Sequence, residues 1–207
     1  GLGDVYKRQV VIDCNITTPH LAYYLGARNY SITLNDVLKG DLDVTFAPLN
    51  QSGVMLIPSS QELNDSMKIN IDDLKKRIEE LSAAGTFDYI ILDSAPGLGK
   101  EAMSVLETCK EIIFVTVPTI PNITDVTRCA ELAGKLGHSR FYIVLNMVRE
   151  KDFELKYENS ENFFHSYVLG KIPFEEDIMD STAQGTPMLW FKPNSYICEN
   201  FMEIAAN

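Results

Sequence analysis

Two acidic residues stand where chemistry is expected, each at the end of an apolar run. Asp93 closes Tyr89-Ile90-Ile91-Leu92 and leads through Ser94-Ala95-Pro96-Gly97-Leu98-Gly99 into a helix-like segment. An apolar run of this length, bounded by turn residues, fits a strand buried on both faces of a parallel sheet. Ligands bind at the carboxyl ends of such strands, and a lone carboxylate there can hold a hydrated metal ion. Pro96, Gly97 and Gly99 let the following backbone approach a phosphate with its amides pointing at it. The plainer alternative is that Asp93 caps the next helix and the glycines only make a tight turn.

Asp13 repeats the pattern within VVIDCNITTPHLAYYLG, residues Val10 to Gly26. Asn146 lies near the end of a third apolar run, FYIVLNMV, and its amide can donate and accept hydrogen bonds to a purine edge. A fourth run, within GKIPFEEDIMDSTAQGTP, turns at Pro173 into an acidic helix start. Four strand ends carrying these groups point to one nucleotide crevice.

The elements that must position them alternate. Strands are expected at Val10–Asp13, Gly53–Pro58, Phe87–Asp93, Glu111–Pro118, Arg140–Val148 and Tyr167–Pro173. Between them, Ile71–Ala84 places Ile71, Leu74, Ile78 and Leu81 at helical spacing, and Thr124–Leu136 repeats the periodicity. Gly40 and Gly85 are expected to end helices and Asn122 to cap one. Such alternation implies an α/β fold with a mainly parallel twisted sheet covered by helices on both faces. Residues 10–207 are expected to form one domain.

Composition narrows the function. The 207 residues carry a formal charge of −11 and are 45% hydrophobic, with a pI near 4.7. That acidity argues against a nucleic-acid surface, which needs clustered Lys and Arg. No segment approaches the roughly 18 apolar residues of a membrane span, so the chain is expected to be cytoplasmic. Cys14, Cys109, Cys129 and Cys198 are widely spaced without a C-x-x-C pair, and His20, His138 and His165 are isolated, so neither a zinc site nor a disulfide framework is indicated. The opening GLGDVYKRQ, residues 1–9, has no periodicity, resembles a translated adapter, and is expected to be non-native.

In family order, these segments resemble the MinD/ParA group of deviant-Walker P-loop ATPases, most closely the archaeal MinD-like proteins, from Val10 to Asn207. VVIDCNITTPHLAYYLG, LNDVLKG, FDYIILDSAPGLGKEA, VTVPTIPNITDV, VLNMV and IPFEEDIMDSTAQGTPMLWFKPNS carry the resemblance. It implies a SIMIBI-like three-layer fold binding ATP and Mg²⁺. Asp93 is then the acid holding magnesium through water, and the turn containing Gly97 senses the γ-phosphate. Asn146 reads adenine, Pro173, Phe174 and Glu175 close over the base, and Asp13 is the first acid of the first switch. The resemblance further implies an ATP-dependent homodimer acting in spatial organisation with a regulatory or cargo protein.

Two departures qualify this. The family's K-G-G-x-G-K-[ST] loop is absent from these 207 residues, and in Gly99-Lys100-Glu101 a glutamate replaces the hydroxyl. The chain is therefore expected to be a fragment missing the first strand, phosphate loop and first helix, and to bind ATP poorly. Asn15 stands where the family commonly has a second aspartate, and an amide can orient water but cannot accept its proton. The alternatives are a non-catalytic scaffold for protein partners, a metabolic enzyme on the same fold, or a ParA-type partition ATPase, the last disfavoured by the charge. Membrane attachment through a basic carboxyl-terminal helix is not expected, because no Lys or Arg follows Lys192.

Overall fold

The computed structural model describes residues 8–66, 69–164 and 166–207. Most of the adapter-like opening and His165 therefore lie outside the described residues. The chain divides into two compact units, residues 1–109 and 110–207.

The first unit holds β1 (Gln9–Asp13), α1 (Leu21–Tyr24), α2 (Leu34–Lys39), β2 (Leu49–Gln51), β3 (Val54–Ile57), α3 (Leu63–Ser66), α4 (Leu74–Ala83), β4 (Tyr89–Asp93) and α5 (Lys100–Thr108). Its sheet runs β2-β3-β1-β4, parallel except for β2. The β2–β3 hairpin was not legible as two strands. Its turn, Ser52-Gly53, has positive φ at both residues, the twist a tight hairpin requires, and Gly53 serves the turn instead of opening the strand. The core forms because Val10 and Ile12 point to one face, where Leu34 and Val37 of α2 and Leu74, Ile78 and Leu81 of α4 cover them. Ala22, Ala27 and Leu56 make a smaller cluster. α4 is preceded by a 3₁₀ turn over Ile71–Asp73, started by Asn70, whose side chain accepts the Asp72 N–H. α2 ends as expected at Gly40, with φ +83°, and Gly85 terminates α4 with its N–H on the Ser82 carbonyl.

The second unit holds β5 (Ile112–Thr116), α6 (Ile120–Lys135), β6 (Phe141–Val148), α7 (Tyr157–Phe164), β7 (Tyr167–Pro173), α8 (Glu176–Ala183), α9 (Met188–Phe191) and α10 (Tyr196–Ala206). Its sheet runs β5-β6-β7, all parallel. One core cluster sets Ile143, Leu145 and Val168 with Ile123 of α6 and Phe164 of α7. Another sets Val144, Leu169 and Ile172 with Met188, Ile197 and Cys198. Helices thus cover both faces of this sheet. Asn122 does not cap α6: the helix begins four residues earlier than the periodicity suggests, capped at Thr119 with Pro121 in its first turn, where a missing N–H costs nothing. Asn122 instead donates from Nδ2 to Thr119 Oγ1 at 2.6 Å.

Two strands depart from the fully buried pattern. In β4, Tyr89 and Ile91 are 48% and 45% exposed, and in β5, Ile113 and Val115 are 55% and 59% exposed. Each lies at the edge of its sheet, next to one neighbouring strand of that sheet instead of two. No helix of the described residues is long and apolar enough to cross a membrane.

Candidate functional site

In the first unit, β1 and β4 pair in register with Asp13 beside Asp93, and the Cys14 N–H donates to the Asp93 carbonyl at 2.9 Å. The two carboxylates behave differently. Asp13 is wholly buried, and its oxygens accept the N–H of Asn15 and of Leu21, both at 3.1 Å. It thereby staples both ends of the Cys14–His20 loop. Burial, helped by the neighbouring Asp93 and opposed by those two N–H groups, pushes its carboxyl up to about 6. Asp93 is open to solvent on one side and crowded by protein on the other, and that partial desolvation raises its carboxyl as well.

Among the described residues no Lys, Arg or His forms an ion pair with either. Nor does any group of three or more His, Cys, Asp and Glu assemble there. Two desolvated carboxylates without a counter-charge suit a hard cation that draws the rest of its shell from water and ligand oxygens. Asp93 does not cap α5, whose cap is Gly99. The intervening turn has Gly97 at φ +80°, and an added Cβ at Gly97 or Gly99 would meet nothing within 4 Å. The turn leaves open space beside its backbone that an anion can occupy. The residues present therefore fit magnesium and a phosphate.

The Cys14–His20 loop is laced further. Asn15 Oδ1 accepts the Thr18 N–H at 3.3 Å and its hydroxyl at 3.1 Å. Ser59 Oγ donates to the Asp13 carbonyl at 2.7 Å. Thr17 donates from its N–H at 3.0 Å and its hydroxyl at 2.6 Å to one carboxylate oxygen of Glu101. Thr17 and Glu101 are 84 residues apart, and no local pattern in the sequence pairs them.

The second unit places Asn146 near the end of β6, where its Oδ1 accepts the N–H of Met147, a residue held at φ +57°. Pro173 ends β7, and Phe174 donates its N–H to the Val148 carbonyl at 2.9 Å. Glu175 is the N-cap residue of α8, with Glu176 and Asp177 in the first turn, where negative charge is favoured. A cleft of about 460 Å³ opens here, lined by Arg149, Lys151, Lys171, Pro173, Phe174 and Tyr196 among others. Arg149 lies 3.9 Å over the Phe174 ring. Buried Glu154 shapes the loop by accepting the N–H groups of Arg149 and Lys151 at 3.0 and 3.4 Å. Pro173 and Phe174 thus border the cleft, while Asn146 and Glu175 do not line it.

The family model described as ParA, NUBPL iron-transfer P-loop NTPase, matches residues 6–207. This chain belongs to the ParA family. An uncharacterized ATP-binding protein of Methanocaldococcus jannaschii is 28% identical over 204 residues, covering 97% of the chain and 75% of that protein. The septum site-determining protein MinD of Thermotoga maritima is 27% identical over 215 residues, covering 99% and 78%. Among solved structures, MinD of Pyrococcus horikoshii in complex with Mg-ADP superposes with a TM-score of 0.90 at 27% identity, covering 96% of the chain and 82% of that one. The α/β architecture of mostly parallel strands flanked by helices is the fold of these ParA-family P-loop NTPases.

Proposed function

We propose that this chain is the nucleotide-sensing body of a MinD-like ATPase switch, pairing with a second copy when ATP and Mg²⁺ are bound and acting in spatial organisation within the cell. The observation that carries this reading is the Asp13–Asp93 pair: two adjacent, partly desolvated carboxylates without a basic partner, followed by an open glycine turn. The family membership supports it. Asp93 is the more accessible of the two and is the residue assigned to hydrated magnesium. Asp13 holds the loop that carries Asn15, and Asn15 orients water without taking its proton. The turn at Gly97 offers amides to the terminal phosphate. In the second unit, Asn146 supplies the purine-reading amide, and Pro173, Phe174 and Glu175 flank the base. Bound magnesium neutralises phosphate charge and polarises the terminal phosphoryl group.

A second reading, a scaffold that binds protein partners without hydrolysis, draws on one fact: no Gly-Lys-Ser/Thr occurs in these 207 residues. The same experiment separates the two. The genomic DNA upstream of the Val10 codon is sequenced, and the protein it encodes is titrated with ATP and magnesium. An in-frame phosphate loop with saturable, magnesium-dependent binding that Asp93→Asn abolishes is the expected result. A start codon there, with no nucleotide bound at millimolar concentration, overturns the ATPase reading in favour of the scaffold.

A further inference from the structure

The first unit contains two loops that bear the acidic groups, one after β1 and one after β4, and the side chain of Glu101 joins the first loop to the helix that continues the second. Glu101 is the second residue of α5, directly after the Asp93–Gly99 turn, and it is half-buried. Its Oε1 takes both donors of Thr17, at 3.0 and 2.6 Å. Thr17 sits at the middle of the Cys14–His20 loop, whose ends are fixed by Asp13. The helix start is steadied separately by Lys100 Nζ on Asp72 at 3.2 Å. By contrast, the turn meets the loop only where the two strands end, through the Cys14 N–H on the Asp93 carbonyl at 2.9 Å, and the Ser94 hydroxyl bonds to the adjacent Ala95 carbonyl among the described contacts. A displacement of the turn can therefore reach the first loop through the start of α5.

We infer that Glu101 is a positioning residue that couples the two loops: through Thr17 it makes the conformation of the Asp13–Asn15 loop depend on what engages Asp93 and the glycine turn. The inference rests on the switch reading of this site. Glu101 touches no reacting group. Its task is to transmit a displacement, because a charge-assisted, doubly donated hydrogen bond is the strongest link that the two loops share beyond the strand pairing itself.

The test is residue-resolved amide exchange on the full chain. In the first loop, the reporting amides are Asn15 and Leu21, bonded to Asp13, and Thr18, bonded to Asn15. Met103, bonded to the Gly99 carbonyl, reports the start of α5. Without metal, Glu101→Ala is expected to speed exchange at Thr18 and Leu21 about fivefold, the size for a half-buried hydrogen bond to a charged group. Thr17→Val, at an exposed position that leaves the core intact, is expected to speed exchange at Met103. Glu101→Gln, which keeps an acceptor oxygen, restores most of the protection. The double variant exchanges no faster than Glu101→Ala alone, because the two residues share one interaction.

Effects that multiply in the double variant, a Met103 amide indifferent to Thr17→Val, or a Gln variant no better than Ala overturn the coupling. Magnesium alone is then added. In the unsubstituted chain it should perturb Gly97 and Thr18 with one midpoint, and in Glu101→Ala it should perturb Gly97 alone. A wild-type chain blind to magnesium at both positions removes the metal reading of the site, while the metal-free arm still decides the coupling.

Discussion

The strand ends of the two units solve opposite electrostatic problems. At the β1–β4 rim, two carboxylates lie side by side without an ion pair among the described residues, and burial drives the Asp13 carboxyl up to about 6 against its two backbone N–H bonds and the weaker pull of His20. At the β6–β7 rim, charge is compensated locally. Lys171 pairs with Glu150 at 2.7 Å, Arg149 rests on Phe174, and the Glu154 carboxylate is spent on loop amides. The first rim holds its carboxylates without an ion pair among the described residues, and the second pairs its charges locally. Uncompensated carboxylate charge is therefore concentrated in the first unit, whereas two left-handed non-glycine residues, Met147 and Glu150, stand at the rim of the second.

The bluntest way to probe that contrast is to damage each sheet at an equivalent depth. Ile12 and Leu145 are both fully buried, and Ile12→Ala and Leu145→Ala should each cost about 3 kcal/mol. Hydrogen exchange should accelerate in β1, β3 and β4 for the first and in β5, β6 and β7 for the second. Equal acceleration in both sheets from either substitution would mean that the two units unfold as one.

The next probe is proton linkage at the β1–β4 rim. Asp13 binds a proton more tightly in the folded chain than at its usual value near 3.8. The stability it contributes is thus fully present below about pH 4 and lost as the pH rises through about 6. In metal-free buffer, urea unfolding of the parent chain should weaken by about 1–3 kcal/mol across that window, and Asp13→Asn should flatten the slope. The asparagine variant gives back part of this gain, because it accepts the Asn15 N–H but leaves that of Leu21 without its acceptor. An unchanged slope would locate the titration elsewhere.

At the compensated rim the effects are smaller. Glu154→Gln weakens the acceptor for Arg149 and Lys151 and should cost about 1–2 kcal/mol by denaturant titration. Arg149→Ala removes an exposed cation–π contact worth about 0.5–1 kcal/mol. If Arg149→Ala proved costlier than Glu154→Gln, the β6–β7 rim would depend on that stacking more than on its loop carboxylate.

The sequence made some of these features legible and hid others for physical reasons. Strand positions were readable because β-branched and apolar runs such as Val10–Ile12 and Tyr142–Leu145 end in turn chemistry. The caps at Gly40 and Gly85 were readable because a left-handed residue after a helix favours glycine. Short β2 was not, since three residues, Leu49–Gln51, carry no periodicity and the Ser52-Gly53 turn interrupts what looks like the approach to a single strand. Asn122 misled because the helix starts at Ile120, upstream of the periodic stretch, with Pro121 inside its first turn. The exposure of Ile91 and Val115 was hidden because an apolar run does not say whether its strand lies at an edge. For the site, strand-end acids were visible by type, but the Thr17–Glu101 link was not. A contact across 84 residues depends on where tertiary packing sets the start of α5 relative to the Cys14–His20 loop, and side-chain identity alone does not encode it.

Gly170 of β7 bears a consequence beyond its own turn of the chain. A Cβ built there would stand 2.6 Å from Cγ1 of Ile204 in α10. The last helix therefore docks into the notch left by a missing side chain. Among related sequences, position 170 and position 204 should then vary as a pair: alanine at the first calls for a smaller partner at the second, and a lone change at 170 is a mutation that selection would tend to remove.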